Sequence, residues 1–273
     1  MSKNIRFIVL SDSTGETGEQ IVRAALAQFK IENYTIDKYS HIVNLDHLKQ
    51  ILDKFVGDDS IIVYFSLVKE ELIEYTKKFC DRNSLLGVDI LTPSIIAIER
   101  KTNLSPQTNP GANRKLDEQY FERVDAIEFA VRYDDGKDPR GVLNADLTII
   151  GVSRTSKNPL SMYLANKNIR VANIPLVPES PLPDEIFQIP PKKIIGLTNE
   201  PEKLNQIRKS RLKSLGLPSN SSYSDLERIL EELEYAHKIM KRIGCPIINV
   251  SDKAIEETAD IIIRHLNRIN SNL

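Results

Sequence analysis

Short apolar runs alternate with stretches of helical periodicity over most of the chain. That alternation is the signature of serial strand–helix units and of a parallel α/β architecture. In the first half, Ile5 to Ser11 reads as a buried strand, followed by a loop and a helix from Glu16 to Lys30. A strand over Tyr34 to Val43, a helix over Leu45 to Phe55, a strand over Ser60 to Leu67 and a helix over Lys69 to Asn83 follow. Val88 to Leu91 is a short strand that leads through Pro93 into another helix. Units of this kind build a twisted sheet covered on both faces, with ligands collecting at loops beyond the strand C-termini.

Two turn-rich breaks interrupt the pattern. Ser105 to Asn113 (SPQTNPGAN) carries two prolines and a glycine, and Asp134 to Arg140 (DDGKDPR) is a second break. Between them Leu116 to Arg132 reads as one long amphipathic helix. Beyond them, Leu147 to Ile150, Arg170 to Leu176, Lys193 to Leu197 and Ile247 to Val250 fit strands. Asn199 with Glu202 three residues later resembles a capping box opening a basic helix. A charged helix over Ser224 to Arg242 ends at Gly244, a suitable C-cap, and a last helix over Ser251 to Asn267 turns Ile255, Ile262 and Leu266 toward a core. The domain boundary is placed at the second break.

The chemistry concentrates in Ala145 to Ala165, ADLTIIGVSRTSKNPLSMYLA. An apolar strand ends at Gly151, a hydroxyl-rich loop follows, and a helical pattern opens at Pro159, which suits the first turn of a helix. A strand, a tight loop ending in lysine and a helix can cradle nucleotide phosphates, because loop amides and the helix N-terminus face the anion. Gly151 to Lys157 has the spacing of the P-loop template G-x-x-x-x-G-K-[ST], with Ser156 in place of the second glycine and Asn158 in place of the magnesium-holding hydroxyl. The candidate nucleotide-binding residues are therefore Gly151, Val152, Ser153, Arg154, Thr155, Ser156, Lys157 and Asn158, with Lys157 supplying a mobile positive charge. An ordinary βα turn fits the same spacing.

A second glycine-containing turn, Ser11 to Thr17 (SDSTGET), follows the first strand. Ser13, Thr14, Gly15 and Thr17 suit a phosphate at a helix N-terminus, whereas Asp12 and Glu16 would repel it. Capping by Ser13 or Thr14 is the structural alternative. A flavin phosphate is disfavoured by the acids and by an aromatic content of 6% without tryptophan. Asp134 and Asp135 with Gly136 could hold magnesium or act as a base, although such a triplet also makes a turn. The four histidines show no paired spacing, which leaves a histidine metal site or hydrolytic triad without support.

Composition narrows the field. The 273 residues allow two ordinary domains, and 41% hydrophobic with 27% charged residues describes a soluble globular protein. A net charge of −1 gives no general grip on nucleic acid or on a membrane surface. The basic run from Lys203 to Lys213 is read as a solvated helix face. Cys80 and Cys245 lack metal or redox spacing and read as reduced packing residues. No leader or spanning segment is evident, so the expected location is the cytoplasm.

Several segments together resemble one family. They are FIVLSDSTGETGEQI, PGANRKLDEQYFERVDAIEFAVRYDDGKDPRG, GVSRTSKNPLSMYLANKNIRVANIPLVPE and IIGLTNEPEKLNQIRKSRL, which cover nearly the whole chain in order. The family is that of the pyruvate, phosphate dikinase and phosphoenolpyruvate synthase regulatory proteins, the kinase/pyrophosphorylase group. The resemblance implies a bifunctional regulator that phosphorylates a threonine near the catalytic histidine of its target, with ADP as donor and magnesium as the expected metal. It implies a reverse step in which inorganic phosphate attacks the phosphothreonine and pyrophosphate leaves. It casts Lys157 and Arg154 as holders of the β-phosphate, and Asp12, Asp134 and Asp135 as unranked candidates for the base. It also implies a possible homodimer, and a threonine where this chain has Asn158.

The fold expected is thus α/β, with an N-terminal parallel α/β domain over residues 1–140 and a C-terminal P-loop kinase-like α/β domain over 141–273. Two other readings stand beside the regulator: a non-catalytic nucleotide or phosphate sensor, and a small-molecule P-loop kinase.

Overall fold

The computed structural model of the protein describes residues 5–112, 118–218 and 222–271. The chain divides into two compact units, residues 1–115 and 116–273. The division falls at the first turn-rich break and not at Asp134–Arg140. The reason is packing: the helix after the first break buries Ala126 and Ala130 with Ala165, deep in the second unit.

The first unit holds β1 (Ile5–Ser11), α1 (Glu16–Leu26), β2 (Tyr34–Tyr39), α2 (Leu45–Leu52), β3 (Ile61–Ser66), α3 (Glu70–Arg82), β4 (Leu86–Asp89) and α4 (Thr92–Thr102). Its four strands are parallel in the order β2-β1-β3-β4. The strand period of two sends alternate side chains to opposite faces. Phe7 and Val9 of β1 join Val22 and Leu26 of α1 on one face. Ile8 and Leu10 join Leu48 and Ile51 of α2 and Leu72 and Phe79 of α3 on the other. Continuous apolar strands are what a parallel sheet covered on both faces demands.

The second unit repeats the plan. After α5 (Glu118–Arg132) and the short α6 (Gly141–Asn144) come β5 (Leu147–Gly151), α7 (Lys157–Ala165), β6 (Val171–Pro175) and β7 (Ile194–Thr198). Then follow α8 (Pro201–Ser214), α9 (Leu226–Ile243), β8 (Ile247–Asn249) and α10 (Ile255–Ser271). The parallel order is β6-β5-β7-β8. Leu147 and Ile149 pack with α7 and α10, including the expected Ile262, while Ile150 faces Leu204 of α8 and Ile229 and Met240 of α9. Gly244 closes α9 in the left-handed region, as the sequence suggested.

The capping box does not form. Pro201 occupies the first turn of α8 and moves the N-cap to Glu200, while Asn199 accepts from the Glu200 amide instead. Among the described residues, no helix is long and apolar enough to cross a membrane.

Candidate active site

In each sheet the strand order reverses between the first and the third strand of the unit in sequence, which is where parallel sheets open a crevice at the strand C-termini. The Ser11–Thr17 turn leaves β1 at one such point, and the Gly151–Lys157 loop leaves β5 at the other. Both motifs singled out in the sequence therefore sit where the topology makes room for ligands.

The Gly151–Lys157 loop is tightly built. A Cβ on Gly151 would stand 2.7 Å from the Leu197 carbonyl oxygen and 3.0 Å from Thr155 Oγ1, so only glycine lets β5 and β7 keep their spacing here. Arg154 (φ 70°) and Ser156 (φ 61°) both adopt the left-handed region. Ser156 thus takes at some conformational cost the backbone shape that favours glycine. It is the N-cap of α7, which starts at Lys157, two residues before the expected Pro159. Thr155 Oγ1 and Lys157 Nζ both donate to the Val152 carbonyl, at 2.9 and 3.0 Å.

Lys157 is only 4% exposed. The mobile charge expected of it is instead tucked back on the strand end. Burial lowers its pKa to about 8, against the upward pull of Asp135 and Asp134, and Arg154 and Arg208 push it further down. The ammonium is thus a charge held at a cost, which the two nearby carboxylates only partly offset.

Asp134 and Asp135 lie beside this loop. Asn158 Nδ2 donates to Asp134 Oδ2 at 2.8 Å and to Asp135 Oδ2 at 3.3 Å. The amide nitrogen of Asn158 thus faces the acids. Asn173 on β6 fixes the acidic turn from behind: its Nδ2 donates to Asp134 Oδ1 at 2.6 Å, and its Oδ1 accepts from the Asp135 amide at 3.0 Å. Asp135 has φ 52°, again left-handed. A cleft of about 560 Å³ is lined by Asp135, Ser153, Arg154, Ser156, Lys157 and Asn158, with Pro175, Val177 and Ile207 among the rest.

The first unit's cleft, about 420 Å³, gathers Asp12, Ser13, Thr14, Gly15 and Thr17 with Ser66, Val68 and the Pro106–Asn109 segment. Neither Ser13 nor Thr14 caps α1. Its N-cap is Gly15 at φ 76°, without a side-chain capping bond. Asp12 is buried and accepts from the Val68 amide at 2.8 Å. Burial raises its carboxyl above the usual range, against the lowering effects of the Val68 amide, its own amide and Lys69. Asp12 lies in the first unit's cleft, and Asp134 and Asp135 lie beside the loop of the second unit.

Sequence reasoning missed Asn173, Arg208, Tyr223 and Glu232. Arg208, assigned to a solvated helix face, is fully buried. Its guanidinium reaches the Ser153 and Tyr223 carbonyls and Glu232. A signal existed: Leu204, Arg208 and Leu212 recur every fourth residue and share the inward face of α8.

The profile of the kinase/pyrophosphorylase family matches residues 7–263. The chain belongs to that family. It is 55% identical over 262 residues to a protein of Clostridioides difficile strain 630 provisionally named a pyruvate, phosphate dikinase regulatory protein, covering 96% of this chain and 93% of that one. A protein of the same provisional name from Streptococcus agalactiae serotype Ia is 51% identical over 267 residues, 97% of this chain and 96% of that one. A Listeria innocua serovar 6a relative, provisionally named regulatory protein 2 of the same enzyme, is 52% identical over 263 residues, 96% of this chain and 97% of that one.

Proposed function

We propose that the protein regulates pyruvate, phosphate dikinase by ADP-dependent phosphorylation of a threonine and by phosphate-dependent, pyrophosphate-forming dephosphorylation. One observation carries the reading: a buried Lys157 at the switch-point loop that donates to the Val152 carbonyl, with Asp134 and Asp135 gathered on the neighbouring Asn158. The names of the relatives support the dikinase as the protein substrate.

A diphosphate entering this cleft meets the loop amides from Gly151 to Asn158, the N-terminus of α7, Lys157 and Arg154. Phosphoryl transfer needs positioning and charge neutralisation more than covalent help from the protein. In the forward step the threonine oxygen bonds to the β-phosphorus of ADP as the α–β bridge breaks, and AMP leaves. The hydroxyl proton passes to Asp135, the acid that lines the cleft. In the return step an oxygen of inorganic phosphate bonds to the phosphothreonine phosphorus. The bond to threonine oxygen breaks, that oxygen takes a proton, and pyrophosphate leaves.

Magnesium fits the residues present. Two carboxylate oxygens of Asp134 and Asp135 already converge on the Asn158 amide group, a point that favours positive charge. Magnesium commonly takes one or two carboxylates, with phosphate oxygens and water completing its shell. Asp134, held from both sides by Asn158 and Asn173, would hold the ion, which supplies charge neutralisation on the phosphates when bound.

The test is to incubate the protein with dikinase, phosphoenolpyruvate and ADP and to search the dikinase for phosphothreonine by mass spectrometry. A new phosphothreonine that disappears on adding phosphate, with pyrophosphate released, is the expected result. ADP uptake without any modified threonine would overturn the catalytic reading and favour a nucleotide sensor, the alternative suggested by the Asn158 amide standing between the acids.

A further inference from the structure

Arg208 is a full positive charge with no exposed surface, placed beneath the loop that binds the nucleotide in the reading above. One guanidinium nitrogen pairs with Glu232 Oε2 at 2.6 Å and reaches the Ser153 carbonyl at 3.4 Å; the other donates to the Tyr223 carbonyl at 3.0 Å. The guanidinium also lies over the Tyr223 ring, 4.7 Å from its centroid. Tyr223 then reaches over the loop from the other side. Its hydroxyl accepts from Arg154 Nε at 2.9 Å and shares a hydrogen bond with Ser153 Oγ at 3.2 Å. Arg208, Tyr223, Ser153 and Arg154 thus form a closed circuit around the left-handed turn at Arg154.

Stability alone does not account for this arrangement. Arg208 Nε is buried without a hydrogen-bond partner among the described residues. A buried ion pair with an unsatisfied donor is commonly no more stable than an apolar side chain of similar size, and here the neighbours on the same helix face are Leu204 and Leu212. What an arginine adds over leucine is direction. Its planar fork fixes a carbonyl and a ring at once.

We propose that Arg208 and Tyr223 are positioning residues for the nucleotide loop: Arg208 orients Tyr223 and the Ser153 carbonyl, and the Tyr223 hydroxyl sets where the Arg154 guanidinium stands before a diphosphate arrives. The inference rests on the reading of this loop as the ADP site. Arg154 is exposed and has left-handed backbone, so without that contact its long side chain would sample many rotamers. Ordering it in advance removes that loss from the binding step.

The test combines ADP titration calorimetry with hydrogen exchange of the free protein. Tyr223→Phe keeps the ring over Arg208 and removes only the hydroxyl. It is expected to weaken ADP binding about threefold to tenfold, in line with the loss of one ordinary net hydrogen bond, and to speed exchange across residues 153–157. In an Arg154→Ala background the same change is expected to have no further effect on ADP affinity, a non-additivity that a purely structural tyrosine would not produce. Arg208→Lys keeps the charge but loses the fork, and is expected to loosen the same amides. Unchanged ADP affinity and unchanged loop exchange in Tyr223→Phe would overturn the proposal, as would additive effects with Arg154→Ala. If the parent protein took up no ADP, the nucleotide reading itself would fall. This inference would fall with it, whereas ADP uptake by the parent together with unchanged affinity and exchange in Tyr223→Phe would overturn this inference alone.

Discussion

The two halves of this chain build the same device and charge it oppositely. Each has four parallel strands in equivalent order and a loop leaving the first strand at the point where the order reverses. Each loop opens onto a cleft and carries one buried ionisable group beside the N-terminus of a helix. In the second unit that group is Lys157, whose burial pushes its pKa down to about 8. In the first it is Asp12, whose burial pushes its pKa up. Topology supplies the place for a ligand, and the sign of the buried charge decides which ligand. A strained cation seeks an anion; a strained acid opposes one and is eased by protonation.

The largest effect expected from this contrast is on ADP binding. Lys157→Met should weaken ADP uptake by about a hundredfold or more, as loss of a buried charge-assisted contact implies. Asp12→Asn should leave it within about twofold. Equal losses in the two variants, measured by calorimetry, would erase the distinction between the loops.

The two glycines separate the loops by mechanism. Gly151→Ala places a Cβ 2.7 Å from the Leu197 backbone oxygen, which cannot swing aside, and should destabilise the second unit by about 2–3 kcal/mol. Gly15→Ala meets the flexible Lys38 side chain at 3.0 Å and Ser11 Cβ at an ordinary 3.6 Å, and its main cost is the left-handed backbone, about 1 kcal/mol. Urea unfolding of both variants checks the order.

A pH series sharpens the comparison further. Lys157 is charged below its folded pKa of about 8 and neutral above it, so ADP affinity should fall as pH rises from 8, by up to about tenfold per unit, and be flatter below. The folded lysine binds its proton less tightly than the unfolded one, so the stability cost of burying it is full below pH 8 and is relieved between about 8 and 10.5. For Asp12 the sign reverses. The folded carboxyl binds its proton more tightly, so its contribution to stability falls as pH rises through the acid range. The smallest effect expected is therefore a slight stabilisation in Asp12→Asn near neutral pH, with the Val68 amide still met by the side-chain oxygen.

Much of this plan was legible in the amino-acid order. Ile5–Ser11 and Leu147–Ile150 are continuous apolar runs because parallel strands are buried on both faces, and the loops after them stand out for the same reason. Local signals were weaker wherever tertiary contacts decided the outcome. Asp134–Arg140 looked like a linker because turn residues and linker residues are the same types, yet Asn173, distant in sequence, ties that turn to β6. Arg208 looked solvated because charge usually is, and only the Leu204–Leu212 spacing hinted otherwise. Asn158 stands at the template's magnesium-holding position, yet its side-chain nitrogen is taken up by two carboxylates that lie far from it in sequence.

The central claim is that the second unit keeps a cation buried at a stability cost so that it can grip a diphosphate. Moving that lysine's pKa from 10.5 to about 8 corresponds to roughly 3 kcal/mol. Calorimetric ADP titration and thermal unfolding of the parent and Lys157→Met at pH 7 test both parts together. The account expects a variant that takes up ADP at least about a hundredfold more weakly while unfolding at the same or a higher temperature. A variant that binds ADP as the parent does, or that loses affinity only because it is less stable, would contradict it.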